Sequence, residues 1–157
     1  MTPQIKLVPK TAAEARAMIE ALSPADRAQV SADWLARLNA PSSEDEQWTF
    51  GYTTLNEDGV VVGQCGFKGP PDGERVVEIA YGTNPEFEGR GYATEAAREL
   101  VRIALSRPTV GVVRAHTIAP DNASTRVLTK VGFVGVGDVM DPEDGRVWRW
   151  ELQGGNG

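Results

Sequence analysis

The chain has 157 residues and a net charge of −6, with 41% hydrophobic and 24% charged residues. This composition is typical of one soluble domain, which we place over residues 1–153, with a flexible tail over residues 154–157. The acidic balance argues against a nucleic-acid partner, because such proteins present a basic face. No apolar run approaches the roughly 20 residues that span a bilayer, and the N-terminus lacks a signal-peptide pattern.

The chain has one cysteine, Cys65, and one histidine, His116. A single cysteine cannot form an internal disulfide, so nothing in the sequence indicates an oxidising compartment. One cysteine and one histidine are also too few for a typical structural zinc site. We therefore predict a cytoplasmic protein that holds no metal and does not associate with a membrane.

The N-terminal segment predicts one strand and two helices. Ile5–Val8 can form a short strand, and Thr11–Glu14 has the sequence of a capping box that starts a helix. Ser23–Pro24 supplies an N-cap and a first-turn proline for the second helix. Apolar residues recur there at every fourth position, namely Val30, Trp34 and Leu38. Trp34 can belong either to the core or to the wall of a substrate cleft.

The middle of the chain has the pattern of three strands. Trp48–Leu55, Val60–Phe67 and Glu74–Thr83 are rich in β-branched and aromatic residues. They are separated by the turn Asn56–Gly59 and the loop Gly69–Gly73. Strands joined by such short connections should form an antiparallel meander.

Helices and strands alternate in the rest of the chain. An apolar stripe from Ala93 to Leu105 predicts an amphipathic helix, and a strand follows over Val110–Ile118. A short helix opens at Asn122 and ends at Gly132, and two strands follow, over Phe133–Met140 and Arg146–Leu152. The third meander strand and Val110–Ile118 can pair in parallel through a right-handed crossover. The prediction is an α+β fold with a mixed, mostly antiparallel central sheet of about seven strands, flanked by about four helices.

The segment Glu88–Thr94 joins a strand to the long helix and carries two glycines. Gly89 and Gly91 allow the backbone to curl so that consecutive N–H groups converge, and a helix N-terminus favours an anion. A diphosphate suits this loop, with Arg90 adding charge and Thr94 a hydroxyl. A plain structural turn is the alternative, because a short Gly-x-Gly motif is weak evidence alone.

Three blocks of this sequence resemble the GNAT family of N-acetyltransferases. Glu88–Ala93 resembles its pyrophosphate-loop signature, Gln/Arg-x-x-Gly-x-Gly/Ala, and Val77–Pro85 looks like its fourth strand. Asp121–Phe133 is similar to its second conserved block, in particular that of the ribosomal-protein N-acetyltransferase branch. The resemblance covers Val60–Phe133 strongly and the remainder by element order. It implies the GNAT fold and an enzyme that transfers an acetyl group from acetyl-CoA to a primary amine. The amine attacks the acetyl group directly, and it can belong to a protein N-terminus or to a small molecule.

The resemblance also implies site residues. Positions that match CoA contacts are Tyr81, Thr83, Gly89, Arg90, Gly91, Ala93, Thr94 and Asn122. Ser124 matches a hydroxyl near the thiol. Two positions depart from the family: Glu88 replaces the usual Gln or Arg, and Leu128 stands where many members carry a tyrosine acid. Ser124 is a possible substitute for that acid.

Glu78 is the candidate general base. It lies in a strand expected to be central and covered on both faces, where desolvation would make a carboxylate a better base. A structural carboxylate paired with a core arginine or tryptophan N–H is the alternative. His116 lies in a valine-rich strand without an acidic sequence neighbour, so we expect a packed or edge-exposed histidine. Trp148 and Trp150 alternate on the last strand and suit packing or a homodimer interface.

Two other functions remain open at this stage. One is a non-catalytic, regulatory CoA-binding domain of the same fold. The other is a dinucleotide-binding oxidoreductase, which is disfavoured because Thr94 takes the place of the last glycine of that fingerprint and because a meander precedes the loop. The identity of the amine-bearing acceptor is open as well.

Overall fold

A computed structural model describes residues 3–28, 48, 51–119, 121–142 and 145–154, with no side-chain placement at positions 12, 15 and 18. The part of the predicted second helix around Trp34 lies outside these residues. Within them, seven strands form one mixed sheet in the order β1-β2-β3-β4-β5-β7-β6. The predicted α+β fold is therefore confirmed. None of the helices in this part of the chain is long and apolar enough to cross a membrane.

The elements follow the predicted order. The strands are β1 (Ile5–Pro9), β2 (Tyr52–Asn56), β3 (Val61–Phe67), β4 (Val76–Thr83), β5 (Val112–Thr117), β6 (Val134–Asp141) and β7 (Gly145–Gln153). The helices of the described residues are α1 (Ala12–Glu20), α2 (Pro24–Arg27), α3 (Tyr92–Leu105) and α4 (Ala123–Val131), with a 3-10 turn at Pro85–Phe87.

Local capping signals set where the first helices begin. The Thr11 hydroxyl accepts a hydrogen bond from the Glu14 backbone N–H at 3.1 Å, and the Ser23 hydroxyl accepts one from the Asp26 N–H at 3.1 Å. Each side chain satisfies a first-turn donor that has no partner within its helix. Both predicted N-caps are confirmed.

One prediction about the end of an element is wrong. Trp48 is not the first residue of a strand but a buried helical residue, whose ring meets Phe67 edge-on with centroids 4.7 Å apart. Its aromatic character reflects core packing rather than β propensity, and β2 begins at Tyr52. Gly154, assigned to the flexible tail, donates its N–H to the Gly111 carbonyl at 2.8 Å. Residues 155–157 lie outside the described part.

The core lies between the sheet and α3. The predicted apolar stripe faces it, with Ala97, Leu100 and Ala104 each 0% exposed. Successive strand residues point to opposite faces, and the core residues of β4 and β5 are those at alternate positions, Val77, Ile79, Val113 and Ala115. The residues between them, including Glu78 and His116, therefore belong to the opposite face of the sheet.

Strands β4 and β5 pair in parallel, as predicted, but only briefly. The ladder joins Val76–Glu78 to Val112–Arg114. Beyond it, Ile79–Thr83 pairs with β3 and Ala115–Thr117 pairs with β7. Within the described residues no pairing joins these two segments, so a gap opens in the middle of the sheet.

Gly63 allows β3 and β4 to approach closely. A Cβ atom placed there would lie 2.2 Å from the Gly82 carbonyl oxygen, and that backbone atom cannot swing aside as a side chain would. We expect Gly63→Ala to lower the free energy of unfolding by about 1–3 kcal/mol, the usual cost of overpacking. Urea denaturation measures this change. Gly73→Ala is the control, because its Cβ would meet no atom within 4 Å; equal stability of both variants would contradict the prediction.

Candidate active site

A groove of about 570 Å³ runs between the end of β4, the start of α3 and one side of α4. Seven of the predicted site residues line it: Tyr81, Thr83, Gly89, Gly91, Ala93, Thr94 and Ser124. They come from three segments that are distant in sequence. The fold therefore brings most of the candidate cofactor-binding residues to one place.

The glycine loop has the backbone conformation that its sequence indicates. Gly89 and Gly91 have φ values of 78° and 88°, in the left-handed region that favours glycine. Gly91 is the N-cap of α3, and a glycine has no side chain to occupy the first-turn N–H groups. These donors and the positive end of the helix dipole therefore remain available for an anion.

Two predicted contacts lie outside the groove lining. The Arg90 guanidinium lies 5.6 Å from the centroid of the Phe87 ring, a cation–π contact on an exposed part of the loop. The Asn122 side chain accepts a hydrogen bond from the Thr125 N–H at 3.0 Å and caps α4. In this arrangement Asn122 acts on the groove through the start of α4, which carries Ser124.

Sequence reasoning missed two cations of the groove. Arg126 and Lys130 both line it from α4. They are four residues apart, the spacing that places two side chains on one helix face. Glu88, the acidic departure from the family signature, lines the groove as well, so these cations offset a carboxylate that disfavours an anion. Their spacing was the available signal, but only tertiary structure shows which helix face meets the groove.

Glu78 lies at the centre of a charged cluster on the other face of the sheet. Its Oε2 atom is 3.1 Å from Lys68 Nζ and 3.0 Å from His116 Nδ1, and its side chain is 21% exposed. The alternative of a core arginine or tryptophan N–H as partner is not what these contacts show, because the partners of Oε2 are a lysine and a histidine. The expectation of a packed histidine is confirmed, because the His116 side chain is 8% exposed, and β5 places it beside a carboxylate 38 positions away in the sequence.

The backbone of β4 directs amide groups into the β4–β5 gap. Lys68 donates its N–H to the Glu78 carbonyl and Asn84 donates its N–H to the Val62 carbonyl, so even-numbered residues of this strand bond to β3. Because hydrogen bonding alternates along an antiparallel pair, Tyr81 and Thr83 direct their N–H groups towards the opposite side. That side is the gap.

A smaller cavity of about 150 Å³ lies in this gap. Residues from both faces of the sheet line it, among them Glu78, His116 and Thr117. Tyr81 and Ser124 line both this cavity and the groove. The Tyr81 hydroxyl donates a hydrogen bond to the Ser124 carbonyl at 3.3 Å, and burial raises the pKa of Tyr81 to about 12. The phenol therefore keeps its proton at neutral pH.

Comparison with known proteins identifies this architecture. Residues 4–134 match the family model described as an acetyltransferase (GNAT) domain. The chain belongs to the GNAT acetyltransferase family. The predicted class, an acetyl-CoA-dependent N-acetyltransferase, is thus confirmed at the level of the family.

Two curated relatives of this GNAT chain come from Bacillus subtilis. YjdG, named as an uncharacterized N-acetyltransferase, is 39% identical over 47% of this chain and 44% of its own length. The matched segment thus spans less than half of that relative. YdaF, named as a candidate ribosomal N-acetyltransferase, is 28% identical over 69% of this chain and 67% of its own length.

Solved GNAT structures share the fold at low sequence identity. A spermidine N-acetyltransferase from Vibrio cholerae, in complex with CoA and spermine, matches with a TM-score of 0.70 at 12% identity over 96% of both chains. A GNAT acetyltransferase from Bacillus anthracis has a TM-score of 0.64 at 16% identity and covers 98% of this chain and 96% of its own.

The two missed cations supply a test of the groove. Charge-assisted hydrogen bonds contribute about 1.5–3 kcal/mol, and about 1.4 kcal/mol corresponds to tenfold in affinity. We expect the double variant Arg126→Glu/Lys130→Glu to weaken CoA binding by at least about tenfold in calorimetry, with a smaller salt dependence than the parent. Arg98→Glu is the control, an exposed charge reversal on α3 outside the groove. Equal CoA affinity in the double variant and the control would contradict this assignment.

Proposed function

We propose that this chain moves an acetyl group from acetyl-CoA to a primary amine by direct attack, in a site formed by the groove and the β4–β5 gap. The observation that carries the proposal is that the two cavities meet at Tyr81 and Ser124. The groove opens beside α3 and α4, whereas Glu78 belongs to the opposite face of the sheet. Donor and acceptor can therefore approach one another from opposite faces.

The groove has the donor set that a CoA diphosphate requires. The first-turn N–H groups after Gly91 offer neutral donors, and Arg126 and Lys130 offer charge. At the inner end of the groove, the N–H groups of Tyr81 and Thr83 face the gap. They can donate to a thioester carbonyl oxygen, where negative charge develops during acyl transfer, and fixed donors at such a position are a large catalytic contribution.

Glu78 is the proposed base. An amine must be neutral to attack, and a carboxylate within reach can take its proton. Both partners of Glu78 among the described residues contact Oε2, which leaves Oε1 to accept that proton. The new bond joins the amine nitrogen to the acetyl carbon as the carbon–sulfur bond breaks. A thiolate with a pKa of about 8.5, by analogy with cysteine, leaves with little help, and Ser124 is the proposed proton donor.

The acceptor is proposed as an amine on two grounds. Direct acyl transfer with a carboxylate base suits an amine nucleophile, and a solved neighbour of the same fold is named for spermidine and bound to spermine. The net charge of −6 would attract a cationic amine over a long range. A protein N-terminus and a small-molecule amine both fit this class. Homodimer formation and a cytoplasmic location remain predictions.

Substitution of Glu78 tests the proposal. Glu78→Gln keeps the size of the side chain but cannot accept a proton, so we expect kcat with a reactive amine to fall by about 10²–10⁴. CoA affinity should stay unchanged. Glu151→Gln is a matched control, since Glu151 is 20% exposed and pairs with Arg114 at 2.7 Å on a neighbouring strand. A Glu78→Gln rate within a few-fold of the parent would contradict the role of base. CoA binding without turnover of any amine by the parent would favour the regulatory alternative.

A substitution at Leu128 tests whether a tyrosine at this position, as in many family members, could serve as the general acid. Leu128 is 0% exposed in the core, so this position does not open into the site. We expect Leu128→Tyr to lower the free energy of unfolding by about 1–3 kcal/mol through overpacking, without raising kcat. Leu128→Met, which conserves volume, is the control for stability. A gain in kcat with unchanged stability would show instead that this position reaches the reacting atoms.

A further inference from the structure

A line of contacts extends from Glu78 across three strands. The Glu78 Oε2 atom lies 3.0 Å from His116 Nδ1 on β5. On the far side of the ring, His116 Nε2 accepts a hydrogen bond from Arg149 Nε on β7 at 3.1 Å. The His116 side chain is 8% exposed, so little water competes for either nitrogen.

The hydrogen-bonding chemistry of Arg149 fixes which nitrogen of the His116 ring carries a proton. An arginine guanidinium only donates hydrogen bonds, so His116 Nε2 must carry a lone pair. In a neutral imidazole the other nitrogen then carries the proton, and Nδ1–H donates to the Glu78 carboxylate. A second proton on Nε2 would point at the Arg149 N–H. The neutral tautomer with a proton on Nδ1 is therefore the one that satisfies all three groups.

We propose that His116 and Arg149 are positioning residues for Glu78, an inference that rests on the proposed role of Glu78 as base. His116 holds Oε2 in place and stabilises the ionised carboxylate. Arg149 keeps His116 in the tautomer that can donate to it. Lys68 contacts the same oxygen at 3.1 Å, so the two donors together orient Oε1 for the amine.

This arrangement makes His116 a support rather than a proton carrier. Its Nδ1 already bears a proton and cannot accept one from Glu78, and its Nε2 is occupied by the Arg149 N–H. The proton taken from the amine therefore stays on Glu78 until solvent or the next acceptor removes it. A role of His116 itself as the base is disfavoured by the same contacts.

The other charged groups around Glu78 are accounted for among the described residues. Lys68 follows β3, and Arg114 is the register partner of Glu78 on β5. Arg114 Nη2 is 2.7 Å from Glu151 Oε2 on β7, so the charge of Arg114 is balanced by Glu151 rather than by Glu78. His116 is thus the neutral donor on Oε2, and Lys68 is the cationic one.

Substitutions at His116 test whether this residue positions Glu78, through their effect on kcat and on the pH dependence of kcat/KM. His116→Leu removes the donor, and loss of a hydrogen bond to the charged form raises the pKa of a carboxylate. We expect the acid limb of kcat/KM to move to higher pH and kcat to fall by about 10- to 100-fold, the range known for residues that orient a metal ligand. KM for acetyl-CoA should stay within about twofold. His116→Asn, whose amide N–H takes the place of Nδ1–H, should restore most of the rate and the original acid limb.

Substitution of Arg149 tests the tautomer directly. In the parent protein, nitrogen NMR of the imidazole should show Nδ1 protonated and Nε2 unprotonated across neutral pH. In Arg149→Met the contact that requires a lone pair on Nε2 is lost, so we expect a second tautomer, protonated on Nε2, to appear in the spectrum and kcat to fall. Arg102→Met removes the same charge from an exposed ion pair with Glu99 on α3 and should change neither readout.

The outcomes separate the two proposals. If Glu78→Gln retains activity, the proposed base is wrong whatever His116 does. If Glu78→Gln is inactive but His116→Leu keeps the parent kcat and acid limb, the positioning role alone is overturned. A parent spectrum with Nε2 protonated overturns it as well. This last measurement needs no substitution, so it decides the question even if the His116 and Arg149 variants fail to fold.

Discussion

The divergence of β4 and β5 after three parallel residue pairs is the constraint on which the rest of this molecule depends. A continuous ladder would have satisfied the backbone of Tyr81 and Thr83 and closed the centre of the sheet. Because the strands separate, their amide groups face a cavity instead, and unsatisfied backbone donors are costly unless water or a ligand meets them. The neighbouring ladders with β3 and β7 hold both strands in place.

The gap also separates two chemical environments. On the helix side, the groove combines a glycine loop, a helix N-terminus and two cations of α4, which suits a negatively charged donor. On the other side, the Glu78 carboxylate lies within hydrogen-bond distance of Lys68 and His116. A sheet is well suited to this division, because alternate residues of one strand reach opposite faces. Glu78 and Tyr81 are three positions apart, so their side chains belong to opposite faces of the sheet.

Helix α3 links stability to binding. Its buried stripe, with Leu100 at its centre, anchors it against β4, while its N-terminus supplies the donors of the groove. A helix whose apolar face is firmly packed keeps its first-turn N–H groups in a fixed direction, and donors fixed beforehand bind an anion without an ordering cost. Trp48, packed on Phe67, completes the same core.

The sequence by itself determined the features whose causes lie within a few residues of one another. The N-caps at Thr11 and Ser23, the glycine loop, the stripe of α3 and the end of α4 at Gly132 were all predictable, because capping and helical periodicity act over one or two turns. The matched blocks of the chain also determined the family. Only the tertiary structure decided that His116 meets Glu78, that Arg149 fixes its tautomer and that Arg126 and Lys130 face the groove. Those contacts depend on strand register and helix rotation, which packing across the whole sheet sets and no local pattern encodes.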